Sequence, residues 1–254
     1  MTGYNEAFII DGKKKDELIA EDPKSAEIIR PLLRGRDIKR YSYEFADLYL
    51  LFIPWHFPLH NDSSIVGASL EAEKAFEKQY PAIYNHLLQH KIGLSNRNKA
   101  ETGIRYEWYA LQRWGANYWE DFSKQKIVWK RVGSILRFSY DESHALALDS
   151  TCFATGQNIK YLVAILNSKF GKYLMKDSPK TGTGDLLISV QAIEPLLIPI
   201  PEKEISFLLE KTIDEILIAI NNQKPISEYE DKIDLIVYDM LGFTDQEIEF
   251  IELQ

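Results

Sequence analysis

The sequence predicts an α+β fold in which a mixed, largely antiparallel β-sheet region with flanking helices precedes a C-terminal helical segment. Three observations predict it. Short apolar segments rich in β-branched and aromatic residues, such as residues 126–132, are bounded by turn-forming residues, as strands are. Residues 159–175 carry apolar side chains at helical spacing. Beyond residue 201 the apolar periodicity is helical throughout, so we expect one region over residues 1–201 and a second over residues 202–254.

Composition is that of a folded protein without a membrane segment. The 254 residues are 45% hydrophobic and 27% charged. No apolar run approaches the roughly 20 residues that cross a bilayer, and the N-terminus lacks the layout of a signal peptide. The single cysteine, Cys152, excludes an internal disulfide. It fits a reducing compartment, so we expect the chain in the cytoplasm.

The first third of the chain begins with strand and helix signals. Residues 7–11 favour a short strand. Asp22 can cap a helix whose first position is Pro23, and apolar residues continue the helical pattern to Leu33, although a further proline interrupts it. The near-continuous apolar run over residues 47–54 predicts a strand that ends at its proline.

Two consecutive helices are expected next. Ser69 begins one, and Pro81 begins a second that extends to Leu88. His86 and His90 are spaced i, i+4, which places both imidazoles on one helical face. No third metal ligand is evident nearby in the sequence, so surface or half-buried histidines are favoured over a metal site.

The second half of the first region alternates strands with one helix. Residues 126–132 and 136–141 predict two strands, and residues 145–156 predict a strand pair or a bulged strand. The helix over residues 159–175 follows. After it, residues 177–190 form a Gly/Thr-rich loop that continues into an apolar strand.

The C-terminal segment is predicted to form consecutive helices. Apolar residues from Leu209 to Ile220 define one amphipathic face. Ser227 and Glu230 have the spacing of a capping box for a second helix, which Gly242 would end. Thr244 and the glutamate three residues later open a last short helix.

Charge is strongly uneven along the chain. Residues 91–140 hold ten Lys/Arg against four acids, a net +6 within a chain of net −8, and they contain four of the five tryptophans. Residues 201–254 hold four basic and fourteen acidic residues, a net −10. Cations interleaved with aromatic rings suit a polyanion with stacked bases, whereas a half-buried β region with a solvated basic face is the plainer alternative.

Motifs of catalysis are missing. There is no GxGxxG and no phosphate-binding P-loop. Residues 179–183 are superficially similar to the phosphorylation loop of ion-pumping ATPases, but Pro179 stands where the nucleophilic aspartate would be. Residues 230–232 have the Glu-x-Lys spacing of metal-dependent nucleases, yet they lie in the acidic helical tail. Cys152 fits a buried strand residue better than a nucleophile, so we expect no catalytic, cofactor or metal site in this chain.

Several segments, in order, resemble one known family. They are TGYNEAFIID, EIIRPLLRGRDIKRY, KIVWKRVG, LDSTCFATG, YLVAILNSKFGKYLM, ISVQAIEPLLIPIP and VYDMLGFTDQEIEFIE. Together they are similar to the TaqI-like C-terminal specificity domain, the target-recognition module of type II and IIG restriction–modification enzymes that methylate adenine. The resemblance covers nearly the whole chain, and its second segment is the most specific.

This resemblance implies a DNA target-recognition domain over residues 1–201, with double-stranded DNA and the methyltransferase domain of the same polypeptide as partners. It implies no cofactor here: S-adenosylmethionine, and Mg²⁺ if the enzyme also cleaves DNA, are expected in another part of the full-length enzyme. The Asn-Pro-Pro-Tyr-type motif of such enzymes does not occur in the sequence. Residues 1–3 therefore look like an artificial start at a domain boundary, and the chain looks like an excised fragment, with a separate natural subunit as the alternative.

On this interpretation Arg/Lys side chains contact phosphates, and a smaller set reads base edges in the major groove. The phosphate candidates are Arg34, Arg36, Lys39, Arg40, Lys124, Lys126 and Lys130. The base-reading candidates are Arg97, Asn98, Arg105, Tyr106, Arg113 and Arg131. For each of them the alternative role is a surface salt bridge.

Two other function classes remain open from the sequence. One is a protein-interaction or specificity subunit that pairs with other subunits through its helical tail. The other is a hydrolase that uses Cys152 or the histidines. Steep salt dependence of DNA binding would distinguish the first interpretation from both.

Overall fold

The computed structural model describes residues 2–253 and divides them into two units. Unit 1 comprises the described residues of Met1–Leu32 together with Ala46–Phe122 and His144–Leu146. Unit 2 comprises Leu33–Phe45, Ser123–Ser143 and the described residues of Ala147–Gln254. Each unit is built from separated stretches of chain.

Unit 1 contains mainly short helices and a small sheet. Its elements in chain order are α1 (Asn5–Phe8), β1 (Ile9–Asp11), α2 (Gly12–Glu21), a 3-10 helix (Pro23–Glu27), β2 (Ile29–Leu33), β3 (Leu48–Leu51), α3 (Leu70–Gln79), α4 (Pro81–Leu88), α5 (Lys91–Ser95) and a second 3-10 helix (Trp119–Ser123). β2 and the second 3-10 helix each end one residue past the bounds of the unit.

In the sheet of unit 1, β3 lies between β1 and β2 and pairs antiparallel with both. Ile10 pairs with Tyr49 on one side of β3, and Pro31 pairs with Tyr49 on the other. The strand over Ile29–Leu33 corrects the expected helix from Pro23 to Leu33. Only the 3-10 turn forms, because Pro31 disfavours a helix interior while the apolar residues that follow can be buried in a sheet.

Both predicted helices after residue 68 are confirmed. The Ser69 side chain caps α3 by accepting a hydrogen bond from the Ala72 N–H at 3.1 Å, and Pro81 occupies the first turn of α4. α3 buries Phe76, whose ring stacks on Tyr109 with centroids 4.6 Å apart. An aromatic core therefore holds these helices against the loop that carries Tyr109.

Unit 2 contains a three-stranded sheet and most of the long helices. Its elements are β4 (Lys126–Lys130), β5 (Val132–Gly133), β6 (Phe138–Asp141), β7 (Leu146–Ala147, which begins in unit 1), β8 (Thr151–Thr155), α6 (Ile159–Asn167), α7 (Lys169–Leu174), β9 (Leu186–Leu187), α8 (Val190–Ile193), α9 (Lys203–Asn221), α10 (Ser227–Leu241) and α11 (Asp245–Glu252).

β4 is the central strand of unit 2 and pairs antiparallel with β6 and β8. Trp129 of β4 lies opposite Phe138 on β6 and Cys152 on β8. Four consecutive residues of β4 are buried, and since successive side chains point to opposite faces, both faces of this strand are covered. The predicted strands in this part of the chain are thus confirmed.

The helix predicted over residues 159–175 is divided at Ser168 into α6 and α7. The Ser168 hydroxyl accepts a hydrogen bond from the Gly171 N–H at 3.1 Å and so begins a new helix. Asn167 faces β6, where its side chain accepts from the Phe138 N–H and donates to the Phe138 carbonyl. A Cβ at Gly171 would collide with the Ile165 carbonyl oxygen, so this tight junction requires glycine.

The C-terminal segment forms three helices, as predicted. α9 buries Ile213 and Ile216 in the core of unit 2. The capping box of Thr244 with Glu247 is present at the start of α11. The capping box expected at Ser227 is wrong: Ser227 is already helical, and the Glu230 carboxylate pairs with a guanidinium instead of the helix N-terminus.

The architecture confirms the predicted α+β class, with largely antiparallel sheets, flanking helices and a helical C-terminal segment. The compact units do not follow the expected division at residue 201, since α9, α10 and α11 belong to unit 2 together with β4. A functional boundary at that residue stays a prediction. Over residues 2–253, no helix is both long and apolar enough to cross a membrane.

Candidate nucleic-acid interface

The basic stretch of residues 91–140 contributes to both units, so its side chains are described in each unit separately. Its tryptophans do not form a single exposed row. Trp108 in unit 1 and Trp129 in unit 2 are buried, and their indole N–H groups donate to the Glu73 carboxylate and the Ile188 carbonyl. These two rings are therefore core residues, while Trp119 is 37% exposed.

In unit 1, three of the predicted base-reading side chains meet at one carboxylate, Glu101. The Asn98 amide donates to Glu101 Oε2 at 2.7 Å. Arg105 Nη1 donates to Glu101 Oε1 at 2.9 Å, and Arg113 Nη1 donates to Glu101 Oε2 at 2.9 Å. We call Asn98, Glu101, Arg105 and Arg113 the Glu101 cluster.

The two arginines of the Glu101 cluster remain accessible although they are ion-paired. The side chain of Arg105 is 59% exposed and that of Arg113 is 56% exposed, whereas the Glu101 side chain is only 12% exposed. The Arg105 guanidinium also lies over the Trp55 ring, 5.4 Å from its centroid. The carboxylate and the ring thus fix Arg105 while leaving further N–H donors open to solvent.

The charge state of this cluster is set by its arginines. The Arg113 guanidinium that hydrogen-bonds Glu101 holds the pKa of that carboxyl below its ordinary value, and Arg105 adds to the effect. Glu101 is therefore ionised at neutral pH, and the cluster of two cations and one anion carries a net positive charge.

Arg97 is a correction to the predicted base readers. Its side chain is buried, and its guanidinium donates to the carbonyl oxygens of Thr2, Trp108 and Ala110 at 2.6–2.8 Å. Burial lowers the pKa of Arg97 to about 10, so it stays charged at neutral pH. With these carbonyls bound, Arg97 organises the chain around it and has no access to a base.

Tyr106 is the second correction among the base readers. Its side chain is fully buried, and the hydroxyl accepts a hydrogen bond from Thr102 Oγ1 at 3.0 Å. Its ring stacks on Trp55 with centroids 5.0 Å apart. Tyr106 therefore supports the ring beneath Arg105 and does not face solvent.

Lys126 corrects the set of predicted phosphate contacts. It lies directly opposite Asp141 in the β4–β6 register, and both side chains are fully buried as an ion pair. The sequence shows a lysine in a basic segment, but in the fold its ammonium group is buried beside the Asp141 carboxylate. A lysine neutralised inside the sheet cannot reach a phosphate.

In unit 2, three predicted contact residues lie close to one turn. Arg36 follows Gly35, whose N–H donates to the Ser150 hydroxyl at 3.0 Å. The Arg131 N–H donates to the Ser150 carbonyl at 3.1 Å, and Lys130 precedes it at the end of β4. All three cations are exposed, and the ion pairs formed within residues 2–253 include none of them. We call Arg36, Lys130 and Arg131 the Ser150 cluster.

Gly35 is what lets this turn approach the sheet. A Cβ there would lie 3.0 Å from the Ser150 carbonyl oxygen and 3.1 Å from Lys130 Cγ, which is tighter than ordinary side-chain contact. The glycine therefore brings the backbone that carries Arg36 against the Lys130 side chain. Three cations on neighbouring backbone suit an anion with several oxygens, such as a run of phosphates.

Three of the other predicted phosphate contacts of unit 2 form ion pairs within the protein. Arg34 forms a bidentate pair with Asp37, Lys39 pairs with Glu44 at 3.1 Å, and Arg40 Nη1 pairs with Glu230 at 2.7 Å. Lys124 is exposed just before β4. Their roles toward DNA stay predictions.

Two residues that organise the candidate interface were missed from the sequence. Glu101 binds Asn98 and Arg105, which lie three residues before it and four residues after it, and that spacing was a usable local signal. The position of Trp55 under Arg105 depends on a contact across fifty residues, for which the sequence carries no local signal.

Comparison with known proteins gives a consistent result. A family model described as the TaqI-like C-terminal specificity domain matches residues 30–196. A type II methyltransferase of Methanocaldococcus jannaschii, M.MjaIV, is 23% identical over 243 residues, which covers 93% of this chain and 75% of that protein.

Similar solved structures belong to larger proteins. The type IIL restriction–modification enzyme MmeI, solved in complex with DNA, has a TM-score of 0.59 at 13% identity, over 96% of this chain and 32% of that one. The type IIG restriction endonuclease BpuSI gives a TM-score of 0.41 at 13% identity, over 89% of this chain and 28% of that one. The likeness to MmeI concerns the fold, and this chain spans about a third of the MmeI chain.

Proposed function

This chain belongs to the family of TaqI-like C-terminal specificity domains, and from that premise we propose that it recognises a target sequence in double-stranded DNA for a restriction–modification enzyme. The observation that carries the proposal is the family match over residues 30–196, which includes every residue of the Glu101 and Ser150 clusters. The DNA complex of MmeI, which shares the fold, supports the same role.

The two clusters suit different parts of the task. The Ser150 cluster presents exposed cations, which can neutralise phosphates and set the register of the protein on the duplex. The Glu101 cluster presents an amide and two guanidiniums in fixed positions. Fixed Arg and Asn side chains can pair with guanine and adenine edges in the major groove, so this cluster is the proposed base reader.

The chemistry of the enzyme is proposed to lie in another part of the full-length protein. An adenine-N6 methyltransferase domain, with its S-adenosylmethionine and with Mg²⁺ if DNA is also cleaved, would be positioned by this chain at the recognised site. On its own the chain would transfer no methyl group and cut no DNA. Because chromosomal DNA is the proposed partner, the protein would be located in the cytoplasm.

The test is a binding selection with the whole chain. Random duplexes are incubated with the protein at low salt, the bound fraction is sequenced, and the affinity for the enriched duplex is followed as salt increases. We expect an enriched motif and a linear fall of log K with log salt concentration. Bound duplexes with random sequence, or an affinity that does not respond to salt, would contradict the proposal.

A second candidate is a subunit that acts through protein contacts of its helical tail. It is favoured by exposed apolar side chains on α9 and α10, where Phe207 is 69% exposed, Ile218 is 62% exposed and Leu235 is 68% exposed. The same selection distinguishes the two candidates, because a subunit that acts only through protein contacts would enrich no duplex.

A further inference from the structure

Unit 2 contains a cleft of about 570 Å³ that neither cluster of the candidate interface uses. Its volume lies in the usual range of small-molecule sites, about 300–1,000 Å³. Five side chains of one sign line it, and no carboxylate is among its lining residues. The five are Arg40, Lys169, Lys172, Lys176 and Lys180.

The five cations differ in whether a carboxylate already neutralises them. Arg40 pairs with Glu230, and Lys169 pairs with Glu252 at 2.7 Å. The ion pairs among residues 2–253 leave the other three lysines of the cleft without a carboxylate partner. These are Lys172, Lys176 and Lys180, and we call them the cleft lysines.

The rest of the cleft lining is largely apolar. Leu136 and Leu166 belong to it, together with Met175 and Leu186. Met175 is buried, while Leu136 and Leu186 are half-buried and so present apolar surface to the open space. A surface of this kind can accept a flat or apolar group, which inorganic phosphate does not have.

A Gly/Thr-rich loop borders the cleft through Lys180 and Gly184, which are both lining residues. The loop is closed by a hydrogen bond from the Thr181 N–H to the Asp185 carbonyl at 2.8 Å. Gly184 has φ +88°, and a Cβ at Gly182 or Gly184 would meet nothing within 4 Å. The backbone there is open and can be approached closely by a ligand.

We propose that this cleft binds a nucleotide, with its phosphate at the cleft lysines and its base on the apolar lining. Three cleft lysines without a carboxylate partner suit an anion, and the apolar lining suits a second, uncharged part of the same ligand. A nucleotide has both parts. Its source is either a free nucleoside phosphate or one nucleotide of an unpaired DNA strand, and this inference does not depend on duplex recognition by the two clusters.

The experiment measures binding of three probes to the whole chain by calorimetry: ADP, a six-nucleotide single strand and inorganic phosphate. The test variant is Lys172→Gln/Lys176→Gln/Lys180→Gln, which removes the charges with little change in side-chain size. We expect the variant to bind ADP, or the single strand, about tenfold or more weakly than the original protein, because charge-assisted hydrogen bonds are lost.

A matched control removes three lysines of the same unit that do not line the cleft, in Lys203→Gln/Lys211→Gln/Lys224→Gln. Its binding should remain within about twofold of the original. Binding of ADP with this pattern supports the proposal with a free nucleotide, and binding of the single strand alone supports it with an unpaired strand.

Three results would overturn the proposal. The first is that neither nucleotide probe binds. The second is that the test and control variants lose the same affinity for the probe, and the third is that inorganic phosphate binds as tightly as ADP. The affinity for duplex DNA is measured on the same variants, and substitution of the cleft lysines should leave it unchanged. Failure here is thereby separated from failure of the duplex-recognition proposal.

Discussion

At the scale of single residues, Glu101 connects three candidate base readers, since its carboxylate accepts hydrogen bonds from Asn98, Arg105 and Arg113. An arginine held in place loses less conformational freedom when it binds a base than a mobile one does. On the proposed function, Glu101 would contribute to specificity by positioning these side chains, without touching DNA itself.

Substitution Glu101→Gln tests this role. It removes the anion and leaves one acceptor oxygen in place of two, so both guanidiniums are held less firmly. Non-specific affinity for DNA should then increase, while discrimination at one or more base pairs falls by about 1–3 kcal/mol. The readout is the ratio of affinities for the enriched duplex and single-base variants of it. Glu77→Gln, on the exposed side of α3 in the same unit, is the control, and equal ratios in both variants would remove Glu101 from the mechanism.

Lys126 provides a second residue-scale prediction, now for stability. Lys126→Met leaves Asp141 charged and buried, which should cost about 3–5 kcal/mol of unfolding free energy. Adding Asp141→Asn removes that charge and keeps a side-chain oxygen that accepts the hydrogen bond from the Ser143 N–H. Part of the lost stability should therefore return. Denaturant unfolding measures both, with Lys130→Met on the same strand as an exposed control. A Lys126→Met protein as stable as the original would contradict the buried ion pair.

His86 should make unit 1 sensitive to acid. Burial lowers the pKa of His86 below its ordinary value of 6.5, although one ring nitrogen donates to the Ala7 carbonyl at 3.0 Å. The unfolded chain therefore takes up a proton near pH 6.5 while the folded chain does not, and the unfolding free energy falls as pH decreases through that value.

Urea unfolding at about pH 7.5 and about pH 5.5 measures this effect. The difference between the two pH values should be smaller in His86→Asn than in the original protein. His144→Asn serves as the control, because His144 is exposed. If His86→Asn keeps the full difference, other groups cause the acid sensitivity.

The residue scale is also where the sequence was least informative. The sequence identifies which residues are charged, but the exposure of each side chain depends on the fold. Arg97, Tyr106 and Lys126 lie within a segment rich in exposed cations, yet all three are buried. Lys126 is buried with Asp141 of β6, whereas Lys130 at the other end of β4 is exposed, and the burial of Lys126 depends on a partner that is distant in sequence.

At the scale of elements, most helices and strands followed from local pattern. Apolar periodicity and Ser69 were sufficient for α3, and the apolar run was sufficient for β4. The exceptions have physical causes. The single predicted helix divides at Ser168, because Asn167 and the Ser168 hydroxyl bind groups outside regular helical hydrogen bonding.

The stability of unit 2 should depend on the buried face of α9. Ile216→Ala removes a fully buried side chain from the core of the unit and should cost about 2–5 kcal/mol of unfolding free energy. Ile218, on the same helix, is 62% exposed, so Ile218→Ala should change stability by less than about 0.5 kcal/mol. Thermal or denaturant unfolding compares them, and similar losses would contradict the observed orientation of α9.

At the scale of the whole molecule, the chain has net charge −8 and yet is proposed to bind a polyanion. Acidic residues are concentrated after residue 200, where fourteen of them accompany four basic ones. Local cation clusters can still attract phosphates, because screening at physiological salt limits electrostatic interactions to about 8 Å. The arrangement of charge, rather than its total, should therefore control DNA binding.

Two triple variants with the same total charge test this. Arg36→Gln/Lys130→Gln/Arg131→Gln alters the Ser150 cluster, and Lys203→Gln/Lys211→Gln/Lys224→Gln alters lysines near or within the acidic helices. Each changes the net charge from −8 to −11, since three positive charges are lost. If the Ser150 cluster binds phosphates, its variant should flatten the slope of log K against log salt by roughly 0.9 per lost contact, about 2.7 in all. The helical variant should keep the slope. Equal changes would mean that net charge alone controls the affinity, and the Ser150 cluster would then be only a solvated basic surface.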